Sequence, residues 1–264
     1  MNLIVRSASN KSRYHALNED TFHVSENLII VADGMGGESS GDVASKIAVE
    51  TVTRLLSQDI IAGISDEKIP ELLFSAISEA DNAITAYINN HPDSIGMGTT
   101  ILIGVVRGFN EYIAWCGDSH CFVYNKGDIK SLTKDHSYVQ ELIDDKKITV
   151  EESYTHPDNN LITRYVGGGV ETCRPEFIKY SIKDGDVLIF CSDGLSGYCM
   201  IDDIKDCIFQ NGCTHDLPSQ LLDLAFRHGS DDDITVVTAA TDEQLPRRRS
   251  SLLGWLKQMT NSAT

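Results

Sequence analysis

Acids recur in this sequence where apolar runs give way to turns. Glu19 and Asp20 stand in L-N-E-D, Asp33 in V-A-D-G-M-G-G, Asp118 in W-C-G-D-S-H and Asp193 in F-C-S-D-G-L-S-G. Asp231, Asp232 and Asp233 follow in G-S-D-D-D-I-T-V-V. A single Asp beside Gly is an ordinary turn former, because its short side chain bonds its own backbone. A set of them at strand ends says more. Strand ends in a layered sheet can converge on one rim, so that carboxylates distant in sequence can share a site. Oxygen ligands without Cys or His pairs select hard octahedral cations, Mg²⁺ or Mn²⁺, over zinc. Asp33 makes the case sharpest: a strand-like run ends on it, glycines follow at 34, 36 and 37, and a helical pattern begins. A phosphate-cradling loop would offer backbone N–H groups and a lysine there. A carboxylate suits a ligand that is itself a cation.

The elements that must position these acids are legible in the apolar pattern. Runs at 3–5, 28–32, 101–106, 112–116, 121–124, 187–191 and 234–240 have strand length and β-branched content. N-K-G-D at 125–128 and K-D-G-D at 183–186 predict hairpins. Helical periodicity covers 42–56, with Val43, Ile47, Val52, Leu55 and Leu56 near one face. It also covers 69–88, with Ile69, Leu72, Leu73, Ala76, Ile77, Ala80 and Ile84, and 217–227, with Leu217, Leu221, Leu222, Leu224 and Ala225. The order suits an α+β layer structure better than a βαβ repeat.

Composition narrows the function. The 264 residues are 41% apolar and 23% charged, as in an ordinary globular domain, and carry a net charge of −17. That charge argues against nucleic acid, since no excess of Lys and Arg exists to neutralise phosphates. Seven cysteines without a C-x-x-C pair speak against a disulfide framework or a structural zinc site. No signal-like or membrane-length apolar run is present, so a cytoplasmic chain is expected. The pattern divides into a domain at 1–241 and a tail at 242–264. Residues 246–264 hold three Arg and one Lys with no acid, a local charge of +4, beside Leu252, Leu253, Trp255, Leu256 and Met259. Such a segment suits an anionic membrane surface or a partner; packing on its own domain is the plainer reading.

The motifs together resemble the metal-dependent protein phosphatases, the protein phosphatase 2C-like serine/threonine enzymes in their bacterial form. The resemblance runs from Ser7 to Thr241. It rests on N-E-D at 18–20, D-G-M-G-G at 33–37 with Gly41 and Ala44-Ser45 behind it, and G-M-G-T-T at 96–100. G-D-S at 117–119, the stretch at 132–149, S-D-G-L at 192–195 and D-D-I-T at 232–235 complete it. It implies a central antiparallel β-sandwich flanked by helices on both faces, with the metal centre at one end. It implies that Asp33 bridges two Mn²⁺ or Mg²⁺ ions. Gly34 lends its carbonyl and Glu19 its carboxylate to one, Asp193 and Asp232 hold the other, and Asp118 with Asp193 takes a weaker third. Asp20 and Asp233 stand behind these ligands. A hydroxide between the metals would attack phosphoserine or phosphothreonine directly, with Asp33, Asp193 and Asp232 carrying the chemistry and no nucleophilic Cys required.

Three positions depart from the family pattern, one of them His120, which follows G-D-S where Arg is common. His15 replaces the arginine that clamps the substrate phosphate in relatives, so His15 or Arg13 is expected to bind phosphate here. Asp233 stands where Asn is usual. The resemblance also implies phosphorylated proteins as substrates, a cognate serine/threonine kinase and a monomer. The competing reading is a catalytically silent relative that binds phosphoproteins.

Overall fold

The computed structural model describes residues 3–36, 40–212 and 216–241. Gly37 of the glycine turn, Cys213 and the whole 242–264 segment therefore lie outside the described residues. The strands are β1 (Leu3–Asn10), β2 (Asp20–Val24), β3 (Leu28–Met35), β4 (Gly98–Thr99), β5 (Ile101–Arg107) and β6 (Asn110–Cys116). They continue as β7 (His120–Asn125), β8 (Asp128–Ser131), β9 (Glu176–Ser181), β10 (Val187–Cys191) and β11 (Ile234–Thr241). The helices are α1 (Gly41–Leu55), α2 (Gln58–Gly63), α3 (Ile69–Asn90), α4 (Tyr138–Asp144), α5 (Val150–Ser153), α6 (Asp193–Ser196), α7 (Ile201–Asn211) and α8 (Leu217–Arg227).

Two antiparallel sheets form, one in the order β1-β11-β10-β7-β8 and one in the order β2-β3-β5-β6-β9 with β4 added to β3. Side chains alternate between faces along each strand. In β3, Leu28, Ile30 and Ala32 face α1 and α3, while Ile29 and Val31 fill the space between the sheets. In β10, Val187, Ile189 and Cys191 face α7 and α8, while Leu188 and Phe190 point between the sheets. Both faces are covered, so these strands read as unbroken apolar runs. Each fully buried Leu or Ile adds about 1.5–3 kcal/mol. The result is the expected α+β sandwich, four layers deep, with helices on both faces.

Two local expectations change and one holds. Helix α1 buries its small side, Ala44, Ser45, Ala48 and Val52, while Val43, Ile47 and Leu55 are only partly covered. The reason is close approach: the Ser45 hydroxyl donates to the Glu19 carbonyl at 2.6 Å, drawing the small face against the acid-bearing segment. N-K-G-D does form a hairpin between β7 and β8, with Lys126 at φ 51° and Gly127 at φ 93°. K-D-G-D does not. Strand β9 pairs with β6, whereas β10 lies between β7 and β11, so this turn carries the chain from one sheet to the other. Asp186 fixes the crossover by accepting from the Lys183 N–H at 2.7 Å, the Tyr180 hydroxyl at 2.8 Å and the Asn125 amide at 2.5 Å. Among the described residues, no helix is long and apolar enough to cross a membrane.

Candidate active site

Asp20 and Asp33 do not lie in turns; they face each other as a cross-strand pair of β2 and β3. Asp118 follows β6, Asp193 opens α6 directly after β10, and Asp232 and Asp233 precede β11. These ends meet on one rim of the sandwich. Asp20, Asp193 and Asp232 lie close enough to act on Asp33 electrostatically. Asp118 feels Asp193, Asp135 and Asp232 in the same way.

Burial first, and then mutual repulsion, pushes these acids up. Asp33 and Asp118 lie well above the usual carboxylate range. Asp20 is raised to about 8 and Asp232 to about 7, both chiefly by burial, and Asp193 and Glu19 rise for the same first reason. Among the described residues no three ligating side chains form a closed cluster. The donor set nevertheless fits hard divalent cations. It consists of oxygens, its members repel one another when ionised, and Oδ1 of both Asp20 and Asp193 is buried without a hydrogen-bond partner.

The surrounding motifs hold this rim in place. The Asp33 N–H donates to Thr100 Oγ1 at 3.0 Å, and the Asp33 carbonyl accepts from the Thr100 N–H and the Thr99 hydroxyl, both at 2.8 Å. Thr100 Oγ1 meets Ser119 Oγ at 2.8 Å, so G-M-G-T-T and G-D-S brace the same aspartate. Gly34 has no room for a side chain: a Cβ there would collide with the Gly41 and Glu19 carbonyls. Gly41 is equally confined, since its Cβ would strike the Glu19 carboxylate. Ser192 donates to Asp20 Oδ2 at 2.8 Å and accepts the Thr235 N–H at 2.9 Å, tying β10 and β11 to β2.

Three supporting residues escaped the sequence reading. His136 Nδ1 accepts the Gly117 N–H at 3.1 Å, and the His136 N–H donates to the Gly117 carbonyl at 3.1 Å. Gly117 sits at φ 122°, so His136 clamps the strained turn that presents Asp118. His120 pairs with Asp135 at 2.9 Å beside it. Asp81, 4% exposed on α3, accepts the Gly167 and Gly169 N–H groups at 2.7 and 3.1 Å. D-H-S at 135–137 was visible as a motif, but nothing local tells which turn it grips. A cavity of about 240 Å³ opens beside Asp118 and Asp193 and is walled by His120, Asp135, Tyr154 and Ile201.

The two phosphate-binding candidates part company. Arg13 is exposed, with its guanidinium 5.7 Å from the Tyr14 ring centroid. His15 comes to the rim: its Nδ1 lies 3.1 Å from Asp233 Oδ2, and its pKa is raised first by that bond. Asp233, buried, also accepts the Ser12 N–H and the Glu19 N–H, both at 2.6 Å.

Comparison with known proteins agrees with this geometry. The profile described as "Protein phosphatase 2C" matches residues 10–228. Serine/threonine protein phosphatase PstP of Mycobacterium tuberculosis is 32% identical over 242 residues, which cover 90% of this chain and 45% of that protein. The chain thus spans about half the length of that relative. Serine/threonine phosphatase stp of Listeria monocytogenes is 32% identical over 247 residues, covering 90% of this chain and 94% of its own length. The structure of Stp1 from Staphylococcus aureus aligns at a TM-score of 0.84 and 30% identity, over 91% of this chain and 95% of that one. The catalytic domain of PstP in complex with two manganese ions aligns at 0.80 and 30% identity, over 90% and 98%. With the profile matched over residues 10–228 and a relative 32% identical across 90% of this chain and 94% of its own length, the chain belongs to the protein phosphatase 2C family.

Proposed function

We propose that this chain is a metal-dependent protein phosphatase that hydrolyses phosphoserine and phosphothreonine in proteins. The observation that carries this reading is the gathering of Asp33, Asp118, Asp193 and Asp232 on one rim, raised in pKa by burial and by one another. The names of the listerial and mycobacterial relatives, and the two manganese ions in the PstP catalytic domain, support it. Glu19, Asp33 and the Gly34 carbonyl would hold one Mn²⁺ or Mg²⁺, Asp33, Asp193 and Asp232 the second, and Asp118 with Asp193 a weaker third. When bound, these cations supply an activated water and offset the charge on the phosphoryl oxygens.

The protein's own groups do the rest. Thr100 and Ser119 fix Asp33, Asp20 locks the strand ends behind it, and the His15 ring edge meets the substrate phosphate. The same reading includes an opposing serine/threonine kinase, a cytoplasmic setting, a monomeric chain, and contact of residues 246–264 with an anionic surface or a partner. The test is hydrolysis of para-nitrophenyl phosphate and of a phosphothreonine peptide. Both should turn over with Mn²⁺ or Mg²⁺ and stop in EDTA; full turnover in EDTA overturns the reading.

A further inference from the structure

The segment Ser12–Glu19 runs over the acid rim between β1 and β2, and one buried carboxylate holds it at three points. Asp233 Oδ1 accepts the Ser12 N–H at 2.6 Å. Asp233 Oδ2 accepts the Glu19 N–H at 2.6 Å and meets His15 Nδ1 at 3.1 Å. The Asp233 side chain is 2% exposed, while that of His15 is 39% exposed. One ring nitrogen is therefore committed to the protein interior and the other edge of the ring is open. The backbone adds to the hold: Lys11 Nζ donates to the His15 carbonyl at 2.6 Å, and the Ser12 hydroxyl donates to the Asp231 carbonyl at 2.5 Å. Asp233 is itself fixed from the metal side, because its N–H donates to Asp232 Oδ1 at 2.8 Å. Through Asp233 the His15 ring is thus linked to two residues assigned to the cations, to the Glu19 N–H and to the Asp232 carboxylate.

We infer that Asp233 is a positioning residue that acts through His15. It binds Nδ1–H and so aims the Nε2 edge at the phosphoryl group of the substrate. This rests on the reading of the rim as a phosphatase site with His15 as its phosphate contact. The chemistry is that of a histidine oriented by a carboxylate: the hydrogen bond at one nitrogen decides what the other presents. An unheld imidazole two-fifths exposed would sample several rotamers and both tautomers, and ordering it would cost binding energy at each encounter. A ring already fixed by Asp233 meets a phosphate oxygen without that cost. The same carboxylate ties the ring to both ends of the segment, so the imidazole and the Glu19 backbone keep one geometry.

The test is a double-mutant cycle on the full chain with Mn²⁺, using para-nitrophenyl phosphate as substrate and inorganic phosphate as competitive inhibitor. Asp233→Asn should raise KM and the phosphate inhibition constant together, by about tenfold, with kcat within about twofold. His15→Ala should do the same, and the double variant should be no worse than His15→Ala alone. His15→Asn, which keeps a donor for Asp233 but has nothing in place of Nε2, should match His15→Ala in phosphate inhibition. Manganese titration of Asp233→Asn should give wild-type stoichiometry, which separates ring positioning from displacement of Glu19. Additive losses in the double variant overturn the inference while leaving His15 as the phosphate contact. Wild-type phosphate inhibition in His15→Ala, with turnover intact, removes that contact and the inference with it. Loss of manganese by Asp233→Asn assigns Asp233 to the metal site instead.

Discussion

Asp33 lies at the centre of the acid rim, and its electrostatics make its substitution informative twice. In the proposed mechanism it belongs to both cation sites, so Asp33→Asn should lower kcat by about 100-fold or more and weaken Mn²⁺ binding. Steady-state assays and manganese titration check both effects; wild-type turnover in the variant would remove Asp33 from the site. Without metal the sign reverses for stability. Burial and the neighbouring Asp20 and Asp193 penalise the ionised Asp33, so metal-free Asp33→Asn should be at least as stable as metal-free wild type at pH 8. Arg13 supplies a contrast at the same scale. Its guanidinium stands over Tyr14 in solvent, so Arg13→Ala should leave KM within about twofold of wild type. A large KM increase in Arg13→Ala would show that the Ser12–Glu19 segment rearranges when substrate binds.

At the scale of elements, the rim depends on segments pinned by single buried acids. Asp81 is the strongest case. It sits one helical turn from Ile77 and Ile84 in the packed face of α3, yet its carboxylate points into the connection between Val166 and Gly169. Gly167 and Gly169 adopt φ of 108° and 83°, a path that favours glycine, and both of their N–H groups donate to this one carboxylate oxygen. Asp81→Ala would leave one buried and one half-buried N–H group unpaired and should destabilise the fold by about 1–3 kcal/mol. Hydrogen exchange should locate the loss: the Gly167 and Gly169 amides should exchange faster while β3 and β5 stay protected. Uniform acceleration across both sheets would mean that Asp81 supports the global fold rather than this connection.

Across the whole molecule, an acid-lined rim makes stability depend on pH in an unusual direction. The folded values of Asp20 and Asp232, about 8 and about 7, lie above the ordinary 3.8. Their contribution is therefore complete below the unfolded value and is lost as pH rises through the folded ones. In EDTA the melting temperature should fall between pH 5 and pH 8, and saturating Mn²⁺ should restore more at pH 8 than at pH 5. A flat profile in EDTA would count against the buried cluster. Glu111 adds to the same slope from the opposite quarter. It is wholly buried between the sheets in β6, both of its oxygens lack a partner, and burial raises it to about 8. Glu111→Met should stabilise the protein by about 1–3 kcal/mol at pH 9 and by less at pH 6, as denaturant titrations at the two pH values would read. Destabilisation at both would reveal a polar partner for Glu111 in solution.

Local chemistry determined much of this protein. Apolar runs placed β3, β5, β6, β10 and β11 because strands covered on both faces are apolar along most of their length. Periodicity placed α1, α3 and α8, and an acid before glycines marked the cation-facing turn. Turn residues specified that the chain reverses at 183–186, but not into which sheet it returns. That depends on β10 needing a neighbour on each side, which K-D-G-D does not encode. The face of α1 was misjudged because hydrophobicity ranks Val43 and Ile47 above Ala44 and Ala48, whereas close approach to the Glu19 segment rewards small side chains. Which side chains support the acids was decided only by tertiary structure. His15 and Asp233 are 218 residues apart, and Asp20 and Ser192 are 172 apart. Their hydrogen bonds exist because two sheets bring strand ends to a common rim, and no local pattern records a distance across it.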